Sequence, residues 1–245
     1  KNIEGAQHVE FQVLADGVDA IHFGERFCSI QRRHQKLLEE GPWLSDEVRA
    51  EIGSKVCEGA RAVGYRGLAT FEFLRDKNGQ FFFLEVNPRV QVEHTITEMI
   101  TGVDLVKLGI RVAAGEALPI TQKEIQFSGH AIQCRLNAED PHNFVPSPGK
   151  LWDCHFPGGR GVRVDTHAHI GYEMPGCFDS LLAKLIVWGE DREEAIAKMK
   201  AALAETTLIG VETVIPLHKA ILDEPDFIAR DVTIQYIENH PNLLR

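Results

Sequence analysis

The chain is short of positive charge: 26 Lys and Arg stand against 36 Asp and Glu, for a formal net charge of −10. That balance argues against a broad nucleic-acid or anionic-membrane surface, so any anion it binds must be held locally. Its five cysteines, Cys28, Cys57, Cys134, Cys154 and Cys177, are odd in number, widely spaced and form no C-x-x-C pair. Neither a disulfide framework nor a zinc site is indicated, and a reducing compartment is the default. No apolar run is long enough to span a bilayer, no basic-then-apolar leader opens the chain, and no repeat or low-complexity tract interrupts it. There is no initiator Met before Lys1-Asn2-Ile3-Glu4, which reads as a fragment or a chain with its front removed. What remains, 245 residues of ordinary composition, is enough for a substantial core in one large domain or two smaller ones.

From His8, Val9, Phe11 and Val13 alternate with Glu10, Gln12 and Leu14, which predicts a strand with one buried face. Asp16-Gly17 predicts a turn into a second strand at about 20–23. The run Cys28-Ser29-Ile30-Gln31-Arg32-Arg33-His34-Gln35-Lys36 places four cation-capable side chains in an acidic protein. A solvated charge run is the ordinary reading, but the mixture of amides and cations between strand-like pieces favours contact with phosphate or carboxylate. Residues 45–63 predict a helix capped by Ser45, ended by Gly64, with Val48, Ile52, Val56, Ala60 and Val63 as its apolar stripe. Thr95-Ile96-Thr97-Glu98 has capping-box spacing, and a helix is expected over 103–114. His94, at the loop-to-helix junction, reads as a structural hydrogen-bonder. The polar stretch 118–126 predicts a domain boundary. Beyond it, 129–135 and 185–188 read as strands, Asp191 caps a helix, and short helical pieces are expected at 216–222 and 233–239. Pro157-Gly158-Gly159-Arg160-Gly161 is not a phosphate loop, because strand-like Val162-Arg163-Val164-Asp165 follows it rather than a helix.

The most informative stretch is 71–94. Apolar runs flank Asn78-Gly79, the signal for a two-residue hairpin turn; that turn sets Glu72 directly opposite Glu85. Like charges in that position repel, so a divalent cation between them is the simplest resolution, and Glu72, Glu85 and Asn87 form a hard-oxygen set suited to magnesium and nucleotide phosphates. Asn87, Arg89, Gln91 and Glu93 continue the parity of Glu85, while Phe82, Leu84 and Val86 read as core. Pro88 marks an edge or strand end. The alternative is a sheet edge whose polar face is merely solvated.

Four segments in order carry a resemblance: Gln31-Arg32-Arg33-His34-Gln35-Lys36; Glu85-Val86-Asn87-Pro88-Arg89-Val90-Gln91-Val92-Glu93-His94; 129–141, GHAIQCRLNAEDP; and Pro146-Ser147-Pro148-Gly149-Lys150. From Lys1 to about His240 the chain resembles biotin carboxylase, the ATP-grasp component of biotin-dependent acyl-CoA and pyruvate carboxylases. The resemblance implies an α+β fold. Residues 1–122 would be the C-terminal part of an ATP-grasp domain, an antiparallel sheet with helices, and 127–240 the biotin carboxylase C-terminal domain.

The implied reaction is phosphorylation of bicarbonate by ATP and transfer of carbon dioxide from carboxyphosphate to biotin on a carrier protein. With it come ATP, Mg²⁺ or Mn²⁺, and biotin as cofactors or substrates. The implied partners are a biotin carboxyl carrier protein, a carboxyltransferase and a second copy in a homodimer; the implied location is the cytoplasm or an organelle matrix or stroma. Matched to the family's motifs, Glu72, Glu85 and Asn87 are metal ligands; Arg89, Gln91 and Val92 cradle bicarbonate; Glu93 is the base. Arg135 stabilises charge developing on biotin, and Asp179 lies near the biotin pocket. Lys1, Ile3, His8, Gln31, His34 and Leu74 are ATP contacts. The chain departs from the pattern at Pro88 and at Gly176-Cys177-Phe178, and it lacks the family's N-terminal domain, glycine-rich lid and an Ala-Met-Lys-Met biotinylation segment. Two other readings remain: a nucleotide-binding or dimerisation fragment without turnover, and another ATP-grasp ligase such as carbamoyl-phosphate synthase.

Overall fold

The computed structural model describes residues 3–244. They form two compact units. The first comprises the chain up to Ser29 together with Glu39–Ala131; the second comprises Ile30–Leu38 and the chain from Ile132 onward.

In chain order the first unit draws on β1 (Gln7–Asp16), most of β2 (Ala20–Arg32), the last residues of β3 (Gln35–Gly41), α1 (Asp46–Ala62), β4 (Arg66–Arg75), β5 (Phe81–Asn87), α2 (His94–Thr101) and α3 (Leu105–Ala113), the end of β2 and the start of β3 belonging to the second unit. Its strands lie in the order β5-β4-β1-β2, each antiparallel to its neighbour. The β1–β2 turn falls where Asp16-Gly17 placed it, and Asp16 Oδ1 accepts the main-chain N–H of Val18 and Asp19 at 2.9 and 2.8 Å. Two expectations change here. β1 is buried on both faces rather than one, because α1 and α3 both pack on it; Leu14, on the face of Glu10 and Gln12, joins Leu105, Leu108 and Val112 of α3 in one core cluster. β2 runs well past residue 23, through a bulge opposite Phe11–Val13 where Gly24 takes φ 73°. The continuous strand carries Arg26 into the interior.

Helix α1 starts as expected, with Ser45 Oγ accepting the N–H of Val48. Val63 follows the last helical residue and is 76% exposed, outside the apolar stripe. α2 begins at His94 with Glu93 at its N-cap, so Thr95 sits inside the helix and the expected capping box does not form. Asp104 caps α3 instead, accepting from Lys107 N at 2.8 Å. β5 is the end strand, and Phe83, Leu84 and Val86 are 61, 50 and 37% exposed. Apolar parity therefore did not make Leu84 and Val86 core, because alternation says which side chains share a face and not whether that face is covered.

The second unit contains β6 (His130–Asn137), β7 (Gly149–Lys150), β8 (Asp153–His155), β9 (Val162–Thr166), β10 (Glu173–Met174), β11 (Leu181–Gly189), α4 (Arg192–Glu205), β12 (Thr207–Ile209), α5 (Ile215–Asp223), α6 (Pro225–Ile228) and α7 (Tyr236–Asn239). Strands follow the order β3-β6-β11-β9, with α4 packed on β11 and small ladders β7–β10 and β8–β12. The glycine loop before residue 162 leads into β9, as its sequence required. Asp191 caps α4 by accepting from Glu194 N at 2.8 Å. The one-turn helix α6, begun by Pro225, was not foreseen.

Candidate functional site

The site grows from one cross-strand row. Arg26 on β2 pairs with Glu10 on β1, Glu10 with Glu72 on β4, and Glu72 with Glu85 on β5. Three carboxylates thus stand side by side on adjacent strands, with one guanidinium at the end. The pairing of Glu72 with Glu85 is the one expected from Asn78-Gly79, but it arises differently. The turn has three residues: Gly79 N donates to Asp76 O, and Asp76 N to Gln80 O, each at 3.0 Å, with Gly79 at φ 80°. This is a type I turn closed by a left-handed glycine. It sets Phe73 opposite Phe83, and a bulge between Glu72 and Phe73 then restores the register. Two one-residue shifts cancel at the carboxylates.

Glu72 is buried, 5% exposed, and is the hub of the polar contacts. Its Oε1 accepts from Gln91 Nε2 at 2.7 Å and Asn87 Nδ2 at 3.0 Å. Its Oε2 lies 2.8 Å from His8 Nε2 without hydrogen-bond alignment. Asn87 Nδ2 also donates to Glu85 Oε1 at 3.2 Å, so a neutral amide sits between the two opposed carboxylates, where the sequence pattern placed a cation. Arg89 NH2 donates to Asn87 Oδ1 at 3.2 Å and NH1 to Val90 O at 3.2 Å.

Behind this surface lies Arg26, fully buried. Its Nε meets Glu10 Oε1 at 2.6 Å, NH1 donates to Gln12 Oε1 and Thr97 Oγ1 at 2.8 and 3.0 Å, and NH2 donates to Thr70 Oγ1 and Gln91 Oε1 at 3.2 and 3.1 Å. Burial alone would lower its pKa, but the carboxylates of Glu10 and Glu93 lift it above the ordinary arginine value. Glu93, 2% exposed, comes within 4.8 Å of Glu10 and Cys28 by their ligand atoms. Gln91 therefore bridges two layers, donating to Glu72 and accepting from Arg26. Sequence reasoning missed Glu10, Gln12, Arg26, Thr70 and Thr97. The available signal was Glu10 and Gln12 alternating inside a strand of otherwise apolar residues; a buried face with such groups needs an internal cation.

The donor set fits a hard divalent cation: Glu72 and Glu85 offer carboxylate oxygens on neighbouring strands, and Asn87 offers an amide oxygen after a half-turn. His8, Glu10 and Glu72 also bring one ligand atom each within 4.8 Å of one another. The Arg26 guanidinium already supplies the counter-charge for Glu10.

Of the other expected site residues, Leu74 lies on β4 opposite His8 and Ile3 is half-buried. Val92 is half-buried between Gln91 and Glu93. His94 Nδ1 donates to Gln91 O at 2.8 Å, in keeping with a structural role. Lys1 lies outside the described residues. Gln31, His34, Arg135 and Asp179 belong to the second unit. Gln31 is buried near the end of β2, and Arg33 and His34 form the turn to β3 with φ 49° and 66°. Asp179 is exposed, and its Oδ1 accepts from Leu181 N at 2.9 Å.

Arg135 sits on β6, and its carbonyl lies 2.8 Å from Nε2 of the fully buried His218 on α5. A carbonyl only accepts, so Nε2 carries the proton. Burial pushes the His218 pKa down to about 4, against the main-chain hydrogen bond that raises it. The unfolded chain takes up a second imidazole proton, on Nδ1, near pH 6.5 while the folded chain resists it to about pH 4, so stability falls as pH drops through that window, by up to about 1.4 kcal/mol per unit. Denaturant melts of the wild-type protein between pH 7.5 and 4.5 are expected to show this loss, and His218→Gln to flatten it.

The residues of the site have clear relatives. Residues 1–121 match the family described as carbamoyl-phosphate synthase L chain, ATP binding domain, and 133–239 match the biotin carboxylase C-terminal domain. The chain is 53% identical to the biotin carboxylase of Allochromatium vinosum, over 97% of this chain and 54% of that protein. It is 51% identical to the biotin carboxylase of Haemophilus influenzae, again over 97% of this chain and 54% of that one. Among solved structures, the biotin carboxylase domain of a thermophilic 2-oxoglutarate carboxylase bound to bicarbonate superposes with a TM-score of 0.97 at 48% identity, covering 100% of this chain and 56% of the other. The same domain from Hydrogenobacter thermophilus is known as a dimer in complex with MgADP, ADP and bicarbonate. The chain spans about half the length of the curated relatives it matches. The chain thus carries an ATP-binding domain of the carbamoyl-phosphate synthase L chain type followed by a biotin carboxylase C-terminal domain, and over nearly its whole length it is similar to about half of the biotin carboxylases it matches.

Proposed function

We propose that the chain is the part of a biotin carboxylase that holds metal and bicarbonate, within an enzyme that uses ATP to carboxylate biotin on a carrier protein. The observation that carries this reading is the clustering of Glu72, Glu85, Asn87, Arg89, Gln91 and Glu93 on one hairpin and the loop that leaves it. Glu72, Glu85 and Asn87 would hold Mg²⁺ or Mn²⁺, which neutralises phosphate charge when bound. Arg89 offers a planar fork matched to a planar anion, Gln91 and Val92 line the same loop, and Glu93 takes the bicarbonate proton. Arg135 stabilises negative charge on the biotin ureido group, a preorganised electrostatic role, and Asp179 borders the biotin pocket. Ile3, His8 and Leu74 of the first unit would contact the nucleotide. Phosphoryl transfer asks mainly for positioning and charge neutralisation, which is what this residue set provides.

In this reading residues 1–122 are ATP-grasp and 127–240 the C-terminal domain. The partners are a carrier protein, a carboxyltransferase and a second copy of the chain. No helix among the described residues is long and apolar enough to cross a membrane; relatives include a chloroplastic enzyme of Arabidopsis thaliana, and we place this protein in the cytoplasm or an organelle stroma. Bicarbonate- and biotin-dependent ATP hydrolysis, measured on this chain alone and joined to the remaining half of a relative, tests the assignment. Activity is expected only in the joined form, and its absence there overturns the reading. In the joined enzyme, Arg135→Ala should lower carboxyl transfer to free biotin by about a hundredfold with little change in ATP binding; equal losses in both would remove Arg135 from its role.

A further inference from the structure

The Asn87 side chain contacts three charged groups, and their chemistry fixes its orientation. Glu72 and Glu85 carboxylates only accept, and the Arg89 guanidinium only donates, so Nδ2 must face the acids at 3.0 and 3.2 Å and Oδ1 must face Arg89 at 3.2 Å. The reverse orientation would set oxygen against two carboxylates and an N–H₂ against a guanidinium. A divalent cation between Glu72 and Glu85 inverts that preference. It repels the N–H₂ group and attracts the amide oxygen, and a half-turn of the side chain delivers it. The same half-turn withdraws from Arg89 the acceptor that holds NH2 and presents a donor in its place.

We infer that Asn87 positions Arg89 in response to metal: without a cation it clasps the guanidinium, and with one it releases the fork for an anion. This rests on the metal and bicarbonate assignments above and adds an order to them. Metal and bicarbonate then bind with positive coupling, and each must raise the affinity of the other by the same factor. Arg89 is exposed, and when the Asn87 bond is lost its NH1 still donates to the Val90 carbonyl while NH2 is released. Occupation of the fork by an amide therefore competes directly with anion binding. The direct attraction between a cation and a nearby anion also couples the two, so the distinguishing measurement is made without metal.

The test is bicarbonate affinity by titration calorimetry, with and without Mg²⁺, and Mn²⁺ affinity by electron paramagnetic resonance, with and without bicarbonate. In the wild-type chain Mg²⁺ is expected to tighten bicarbonate binding about tenfold. Asn87→Ala, which has no clasp, should bind bicarbonate in the absence of metal about tenfold more tightly than metal-free wild type. Asn87→Ser, too short to reach both sides, should behave alike and guards against a local packing effect of alanine. Absence of any Mn²⁺ or bicarbonate binding to wild type overturns the site assignment and the coupling with it. Independent binding of the two overturns the coupling alone. Metal-free affinities equal in wild type and Asn87→Ala overturn the role of Asn87 and assign any coupling to direct charge attraction.

Discussion

Arg26→Met is expected to destabilise the first unit by about 3–5 kcal/mol, the range for removing one partner of a buried, hydrogen-bonded charge pair. The side chain is fully buried and donates to Glu10, Gln12, Thr70, Gln91 and Thr97. Methionine fills much of the volume but leaves the Glu10 carboxylate and four neutral acceptors facing an apolar thioether. Urea unfolding followed by circular dichroism measures the loss, and a change below about 1 kcal/mol would mean that Arg26 is not the internal counter-ion. Glu10→Gln with Arg26→Met should recover part of the loss, because the buried negative charge is then removed along with its partner. Functionally the same substitution frees Gln91 on one side, since Gln91 Oε1 accepts from Arg26 while its Nε2 holds Glu72.

Glu93→Gln in the joined enzyme should abolish bicarbonate-dependent carboxylation, a loss of about 10²–10⁴ fold if Glu93 is the general base, while MgATP still binds. Glutamine keeps the size of the side chain and its place at the N-cap of α2, so lost activity would follow from the lost carboxylate. Glu93 is also one of the two acids that raise the Arg26 pKa, and a modest fall in stability is expected alongside. Nucleotide affinity separates the effects: unchanged MgATP binding with no turnover supports a base, and retained carboxylation removes Glu93 from that role.

These results would test two layers of the site that differ in how far they were legible beforehand. The outer layer could be read from local pattern. Glu72 opposite Glu85, with Asn87 two residues on, follows from strand alternation across a short turn, and the register survives because a three-residue turn is offset by a bulge; Arg89, Gln91 and Glu93 lie past the end of β5, in the loop that Pro88 announced and at the N-cap of α2. Asp16, Ser45 and Asp191 likewise declared their turn and caps, since each acts on main-chain N–H groups two or three residues away.

The inner layer could not be read that way. Arg26 reaches Glu10, Thr70, Gln91 and Thr97 across sequence separations of 16 to 71 residues, and no local rule connects them. Whether a face is covered is also a tertiary matter: β1, with α1 and α3 packed on it, is buried on both sides, while Leu84 and Val86 on the end strand are exposed despite their apolar parity. The sequence by itself determined which side chains the hairpin and the loop after it carry, because the acids, the amide and the guanidinium follow one another over a few residues. The tertiary structure decided how those charges are balanced, placing an arginine under Glu10 and an amide between Glu72 and Glu85, because electrostatic compensation is settled by distance in space and low internal polarity rather than by order along the chain.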